Sequence, residues 1–291
     1  MMTIDVIAGY DGSPAAAAAI DAGAALFPQA HVWITHLWTP PFASESLRRR
    51  LWTGVAGINS FIEAIEREGE AEARRLAERG VRLAGTAGWN AEPLVRRTYG
   101  GEGLCFAQLA QDLDADLVIV GSRGLGGAHA VLGSVSDMVV HYTPRPVLVV
   151  PHPLLTAEQA AQAGGPVVIG WDGSPGAEGA RTVAARLFPG RDLIAVHVDG
   201  METASPEDGR PPAEGLTVER VEVAAGHGPH GRAVAEALGA YCRRQSAAAL
   251  VVGTRGRSAT REILTGSVAM ATLHHAHRPV MVVPPPHEGS V

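Results

Sequence analysis

Apolar positions along this chain fall in short blocks, and two periods alternate. Ile4–Ala8, but for Asp5, and Val167–Gly170 are apolar and rich in β-branched residues. Runs of that kind suit strands covered on both faces. Ala15–Leu26 follows the first run as an alanine-rich helix, entered through Ser13-Pro14 as a capping residue and a first-turn proline. Second strands are predicted at His31–Trp38 and Asp192–Asp199, and third strands at Pro93–Tyr99 and Thr217–Ala224. Fourth strands at Asp116–Val120 and Ala248–Val252 run into glycine clusters, and last strands at Val147–Val150 and Val280–Val283 each follow a proline. Helical spacing marks Leu104–Leu113 and Arg232–Arg244. In Ser134–Tyr142 it places Val135, Met138, Val139 and Tyr142 on one face, and Ser134-x-x-Asp137 has capping-box spacing. Strand and helix alternate throughout, which predicts an α/β protein built on doubly wound parallel sheets of about five strands with right-handed crossovers.

The pattern occurs twice. Gly9-Tyr-Asp-Gly-Ser-Pro14 returns as Gly170-Trp-Asp-Gly-Ser-Pro175, and Gly121-Ser-Arg-Gly124 returns as Gly253-Thr-Arg-Gly256. Gly133-Ser134-Val135 returns as Gly266-Ser267-Val268, and Arg145-Pro-Val-Leu-Val-Val-Pro151 as Arg278-Pro-Val-Met-Val-Val-Pro284. Such self-similarity marks a duplicated unit. The expected division is two tandem five-stranded domains, 1–153 and 164–287, joined by a linker over about His152–Gly165 in which Thr156–Ala163 makes a helical turn or two. The offset between copies falls from 161 residues at the first block to 132 at the second, a difference of 29. In the first copy that stretch holds an amphipathic helix, Asn59–Arg79, with Phe61, Ile62, Ile65 and Leu76 among many Glu and Arg; in the second it holds the Pro/Gly/acidic segment Gly200–Gly215. The second copy is therefore expected to lack the second helix, leaving one sheet face partly uncovered or covered by another chain or domain.

Ligands on doubly wound sheets bind beyond the carboxyl ends of the strands, at the topological switch point. Asp11, Gly121 and their repeats Asp172 and Gly253 all fall just past predicted strand ends. In the second copy, Gly253, Gly256 and, after nine residues, Gly266-Ser267 form a glycine segment opening a helix. Glycines let backbone N–H groups approach phosphate oxygens, and the helix points its positive end at the anion. Ser267 adds a hydroxyl, and Arg255 or Arg257 adds positive charge. The first copy carries Gly121, Arg123 and Gly124, then eight residues before Gly133-Ser134. The plain alternative is a glycine-rich strand-to-helix turn with no ligand; repetition of the design in both copies favours phosphate. Asp11 and Asp172 offer acceptors to an adenine amine or a ribose hydroxyl, or belong to a helix-capping cluster, and the two readings are compatible. His36 and His197 match inside apolar strands and read as satisfied core residues.

Composition narrows the partners. A net charge of −6 and a pI near 6.0 argue against nucleic acid or an anionic membrane. No apolar run approaches the roughly 20 residues of a membrane helix, and the first residues lack the features of a signal peptide. Cys105 and Cys242 occupy non-equivalent places and read as buried thiols in a reducing cytoplasm. All 24 basic residues are arginines, so there is no Walker-type lysine, and neither a nucleophile elbow nor zinc-ligand spacing occurs.

On these residues the chain resembles the universal stress proteins in their tandem form, common in actinobacteria. The resemblance rests on Asp-Gly-Ser after strand one, the Gly-x-x-Gly…Gly-Ser segments and the closing Arg-Pro-Val-x-Val-Val-Pro strands, and Gly54-Val-Ala-Gly-Ile-Asn59 looks like single-domain ATP-binding members. It implies a Rossmann-like, adenine nucleotide alpha-hydrolase-like fold and membership of the ATP-binding subgroup. It places Gly9, Asp11, Gly170 and Asp172 by adenosine and has Leu37 and Val198 contact adenine through their backbone. Gly121, Arg123, Gly124, Gly133, Ser134 and Val135 then hold phosphates and ribose, as do Gly253, Arg255, Gly256, Gly266, Ser267 and Val268. The resemblance further implies domain pairing through Val147–Val150 and Val280–Val283, within one chain or in a homodimer. The expected function is an ATP-binding stress or dormancy regulator, with or without Mg²⁺. A slow ATPase and a nucleotide-free interaction module are the alternatives.

Overall fold

The computed structural model describes residues 3–40, 58–122, 132–199, 218–222, 230–254 and 266–285. The first half runs β1 (Asp5–Gly9), α1 (Pro14–Leu26), β2 (His31–Trp38), α2 (Ile58–Thr86), β3 (Asn90–Arg97), α3 (Glu102–Asp112), β4 (Leu117–Gly121), α4 (Ser134–Tyr142) and β5 (Val147–Val150). A short helix α5 (Thr156–Gln162) leads to β6 (Val167–Gly170), α6 (Pro175–Leu187), β7 (Leu193–Asp199), β8 (Val218–Glu222), α7 (His230–Arg244), β9 (Ala249–Gly253), α8 (Ser267–His275) and β10 (Val280–Val283).

The two halves share one ten-stranded sheet, ordered β3-β2-β1-β4-β5-β10-β9-β6-β7-β8. Each half is parallel, and the halves meet at the antiparallel pair β5–β10. Here Leu148 pairs with Met281, its own counterpart 133 residues on, so a pseudo-twofold axis passes through the pair. Phe27 and Phe188, also equivalent, pack ring to ring at 5.0 Å across the same junction. The apolar strand runs are buried on both faces: Ile34, Ile119, Leu148, Ile169 and Met281 with α1, α2 and α6, and Ile7, Val118, Leu250 and Val280 with α3, α4, α7 and α8. Because β5 and β10 are antiparallel, the carboxyl strand ends of the two halves lie at opposite edges of the sheet.

The linker helix α5 leaves the carboxyl end of β5 and lies under the amino ends of β6 and β9. Glu158, Ala161 and Gln162 are buried there, and a side chain at Gly165 would collide with the Ser246 carbonyl oxygen. Arg191 holds this segment, donating from Nη2 to the Gln162 carbonyl at 2.7 Å and from Nη1 to that of Gly165 at 3.1 Å. Its Nη2 also reaches the Ala25 carbonyl of α1 at 3.5 Å, and Arg186 pairs with Asp116 across the halves. The residue equivalent to Arg191 in the first copy is Ala30.

Two boundaries differ from expectation by three residues or more. β3 begins at Asn90 rather than Pro93, because Pro93 is tolerated within an edge strand where no neighbour needs its missing N–H. α2 continues to Thr86, since Val81, Leu83 and Ala84 extend its apolar stripe, and Gly80 lets it pass close over the sheet. A Cβ at Gly80 would stand 2.6 Å from Ile34 and 2.8 Å from Tyr10.

The expected loop Gly200–Gly215 lies outside the described residues. Only 18 residues join β7 to β8, against 51 from β2 to β3, too few for a helix the length of α2. The strand positions that face α2 in the first copy are altered to match. Ile34 and Trp38 become Ala195 and Asp199, and Val95 becomes Arg220 in equivalent register. Asp199 pairs with Arg220 at 3.1 Å and lies 3.5 Å from His197. These positions are small or charge-paired rather than large and apolar.

Candidate functional site

In each half the first strand lies beside the fourth while their helices pack on opposite faces, which sets the switch point at β1/β4 and β6/β9. After β1 the chain turns through Gly12 at φ +82°, and the Ser13 N–H donates to Asp11 Oδ1 at 2.9 Å. Ser13 Oγ then accepts from the Ala16 N–H at 3.1 Å, capping α1. The second copy repeats this with Gly173 at φ +73°, Ser174 N–H to Asp172 Oδ1 at 2.9 Å, and Ala177 N–H to Ser174 Oγ at 3.1 Å. One oxygen of each aspartate is thus committed to the turn.

His36 and His197 are hydrogen-bonded as expected, but they are half-buried rather than core residues. Their Nδ1 atoms lie 2.9 and 3.0 Å from the carbonyl oxygens of Tyr10 and Trp171. A carbonyl only accepts, so Nδ1 carries the proton. These bonds fix the ends of β1 and β6.

Leu37 and Val198 owe their position to strand length. Gly9, the last residue of β1, pairs with Thr35, yet β2 continues to Trp38. The Tyr10 N–H donates to the Thr35 carbonyl, so the backbone groups of Thr35 point toward β1. With a period of two, those of Leu37 point the same way, past the strand's end. In the second copy Gly170 pairs with Val196, Trp171 N–H donates to the Val196 carbonyl, and Val198 lies beyond. Each half therefore presents one N–H and one C=O at the mouth of the switch point. The Leu37 side chain is half-buried and that of Val198 buried, so only their backbone is offered.

On the other side of the mouth, β4 and β9 end in glycines that packing requires. A Cβ on Gly121 would stand 2.7 Å from both the carbonyl carbon and oxygen of Ala15; one on Gly253 would stand 2.5 Å from the Gly176 oxygen. Gly9 and Gly170 are also tight, against Phe106 at 3.1 Å and Val252 at 3.2 Å. Helix–strand backbone contact therefore accounts for glycine at Gly121 and Gly253, whereas the tight contacts at Gly9 and Gly170 are only with side-chain ends.

Past each loop the chain returns to where it left the strand. The Gly133 N–H donates to the Ser122 carbonyl at 2.7 Å, and that of Gly266 to the Thr254 carbonyl. Gly133 and Gly266 are the N-caps of α4 and α8, and neither helix has a side-chain cap, in contrast to α1 and α6. The expected capping box is thus absent. Ser134 is already the first helical residue, the Asp137 N–H donates to Gly133, and the Asp137 carboxylate lies 3.5 Å from His141. The expected apolar face is corrected too: Ser136, Val139 and Val140 are buried, whereas Val135 and Tyr142 are 37% and 48% exposed. Ser134 and Ser267 are exposed, and the half-buried Val268 follows Ser267 in the same first turn. The first-turn N–H groups keep their hydrogen-bonding capacity, and with it the positive end of the helix. Arg123, Gly124, Arg255 and Gly256 lie outside the described residues.

Sequence reasoning missed Ser136. Its buried hydroxyl donates to the Gly121 carbonyl at 2.7 Å, tying α4 to the end of β4. The signal was there: the equivalent residue in α8 is Ala269.

Two Rossmann-like α/β units in tandem, each with an anion-ready helix end and an open strand backbone at its switch point, define a duplicated doubly wound class of protein. The sequence profile of the universal stress protein family matches residues 2–151 and again 165–284, and the chain belongs to that family. It is 33% identical over 186 residues to a universal stress protein of Mycolicibacterium smegmatis, across 59% of this chain and 62% of the relative. It is also 33% identical over 190 residues to one of Mycobacterium tuberculosis, across 58% of this chain and 62% of that relative. The matches thus span less than two thirds of these relatives. Among solved structures, a universal stress protein from Archaeoglobus fulgidus superposes with a TM-score of 0.62 at 17% identity, covering 97% of this chain and 96% of that one. A Pseudomonas aeruginosa chain does so with a TM-score of 0.54 at 14% identity, covering 97% and 94%. At such identities the likeness is one of fold. Among the described residues no helix is long and apolar enough to cross a membrane.

Proposed function

We propose that this chain is a cytoplasmic ATP-binding regulator of a stress or dormancy response, in which nucleotide is a conformational signal rather than a consumed substrate. One observation carries the reading. In both halves, a strand backbone whose N–H and C=O face past the end of the first strand sits across the switch point from a helix end that has no side-chain cap among the described residues. Adenine needs such a pair, because N1 accepts and the 6-amino group donates. Leu37 and Val198 supply it, the second oxygens of Asp11 and Asp172 take the amine or a ribose hydroxyl, and the first turns of α4 and α8 take phosphates. Gly124, Gly256, Arg123 and Arg255 complete the phosphate loops, with Mg²⁺ accompanying the triphosphate. Backbone amides and glycines bind without moving protons, which favours a sensor over a hydrolase. The usual last-strand surface is already used within the chain by β5 and β10, so any homodimer would form through another surface.

The test is to denature freshly purified protein and quantify released nucleotide per chain by chromatography and mass spectrometry. Two ATP per chain is the expected result. One would leave a single working copy, resolved by Gly124→Ala and Gly256→Ala variants. None, with no binding of added ATP and Mg²⁺, refutes the proposal, and steady phosphate release well above background would make the protein an enzyme instead.

A further inference from the structure

In the first copy the Ser136 hydroxyl closes the turn onto the Gly121 carbonyl. In the second, Ala269 stands at that position and has no hydroxyl to give. The residue after the strand glycine is Thr254 there and Ser122 in the first copy, both buried. Thr254 is 4% exposed, and its Oγ1 is buried with no hydrogen-bond partner among the described residues. Strand alternation fixes its direction. Val252 lies in the core under α7 and α8, Gly253 turns to α6, and Thr254 turns back toward α8. Its carbonyl accepts from Gly266, the N-cap of α8, so the hydroxyl sits at the foot of that uncapped first turn. A buried hydroxyl left unpaired is costly, and its retention calls for a partner. At the positive end of a helix, the partner for an O–H donor is an oxyanion.

We infer that Thr254 is a ligand-contacting residue, its hydroxyl donating to a phosphate oxygen held at the first turn of α8. The inference rests on the nucleotide reading above and adds a residue to it.

The experiment titrates the full chain with ATP and Mg²⁺ by calorimetry, comparing wild type with Thr254→Val and Thr254→Ser, alongside thermal melts without ligand. Valine keeps the shape and removes the donor. The expected result is about ten-fold weaker ATP binding at one site of Thr254→Val, as for loss of a hydrogen bond to a charged group. Its ligand-free melting temperature should be unchanged or higher, because an unpaired hydroxyl has gone, and Thr254→Ser should keep wild-type affinity. Unchanged binding in Thr254→Val overturns the inference and leaves the nucleotide reading standing. A lower ligand-free melting temperature in Thr254→Val also overturns it, because the hydroxyl would then be bonded within the protein. Absence of ATP binding by the wild type overturns both.

Discussion

Replacing Gly253 by alanine separates packing from ligand contact. The new Cβ would stand 2.5 Å from the Gly176 carbonyl oxygen, 2.6 Å from its carbon and 3.0 Å from its Cα. Ordinary contact begins near 3.4 Å. All three atoms are backbone, so no rotamer change relieves the clash, and the first turn of α6 must lift by roughly 1 Å from a core packed at crystal-like density. Overpacking of this kind costs about 1–3 kcal/mol, offset by up to about 1 kcal/mol from the stiffer unfolded chain. The net loss of about 1–2 kcal/mol corresponds to roughly 2–8 °C in melting temperature for a chain of this size class. Gly179, in the middle of α6, is the control: a Cβ there meets nothing within 4 Å. Gly179→Ala should stabilise by up to about 1 kcal/mol through helix propensity. The assay is thermal and urea unfolding of ligand-free protein. A Gly253→Ala variant as stable as wild type would refute the packing argument and return the glycine to the ligand. If the argument holds, loss of nucleotide in Gly253→Ala says nothing about phosphate contact.

Arg191→Met leaves the Gln162 and Gly165 carbonyls without their donor and should destabilise by about 1–3 kcal/mol. Limited proteolysis should then cut faster between Pro151 and Gly165, and an unchanged cleavage pattern counts against the clamp. Burial pushes the Cys242 thiol from about 9 up to about 12, and burial with the neighbouring Glu219 carboxylate pushes the Tyr241 phenol from about 10 up to about 12. Both groups release protons more readily when unfolded, so their contribution is complete below pH 9 and lost as pH rises from about 9 to 12. The urea midpoint should fall between pH 8 and 10.5, and a flat profile would show these groups to be exposed in solution.

Much of the fold was legible because strand burial and duplication are both written in short blocks. An all-apolar run such as Val147–Val150 has one sensible place, the middle of a sheet covered on both faces. Pro93 misled because proline reads as a strand boundary, and only its place on the edge makes it harmless. In the candidate site, the aspartates and helix-opening glycines were visible by position. The reason for Gly121 and Gly253 was not, since the atoms they make room for are 106 and 77 residues away, at Ala15 and Gly176. Ser134-x-x-Asp137 failed as a capping box because the helix begins one residue too early for it, a shift that spacing alone does not reveal. The open backbone of Leu37 depends on where β1 stops relative to β2, a property of two strands together.

The covalent join between the two halves, through α5, has a consequence for their individuality. Two chains meeting at a true twofold axis must carry every substitution on both sides and come apart on dilution. Here a tether of a few turns holds the strands at an effective concentration of order millimolar, independent of how much protein is present. A change is then written once: Arg191 stands opposite Ala30, Ala269 opposite Ser136, and Asp199 opposite Trp38. One half is free to take on a brace that the other does not carry.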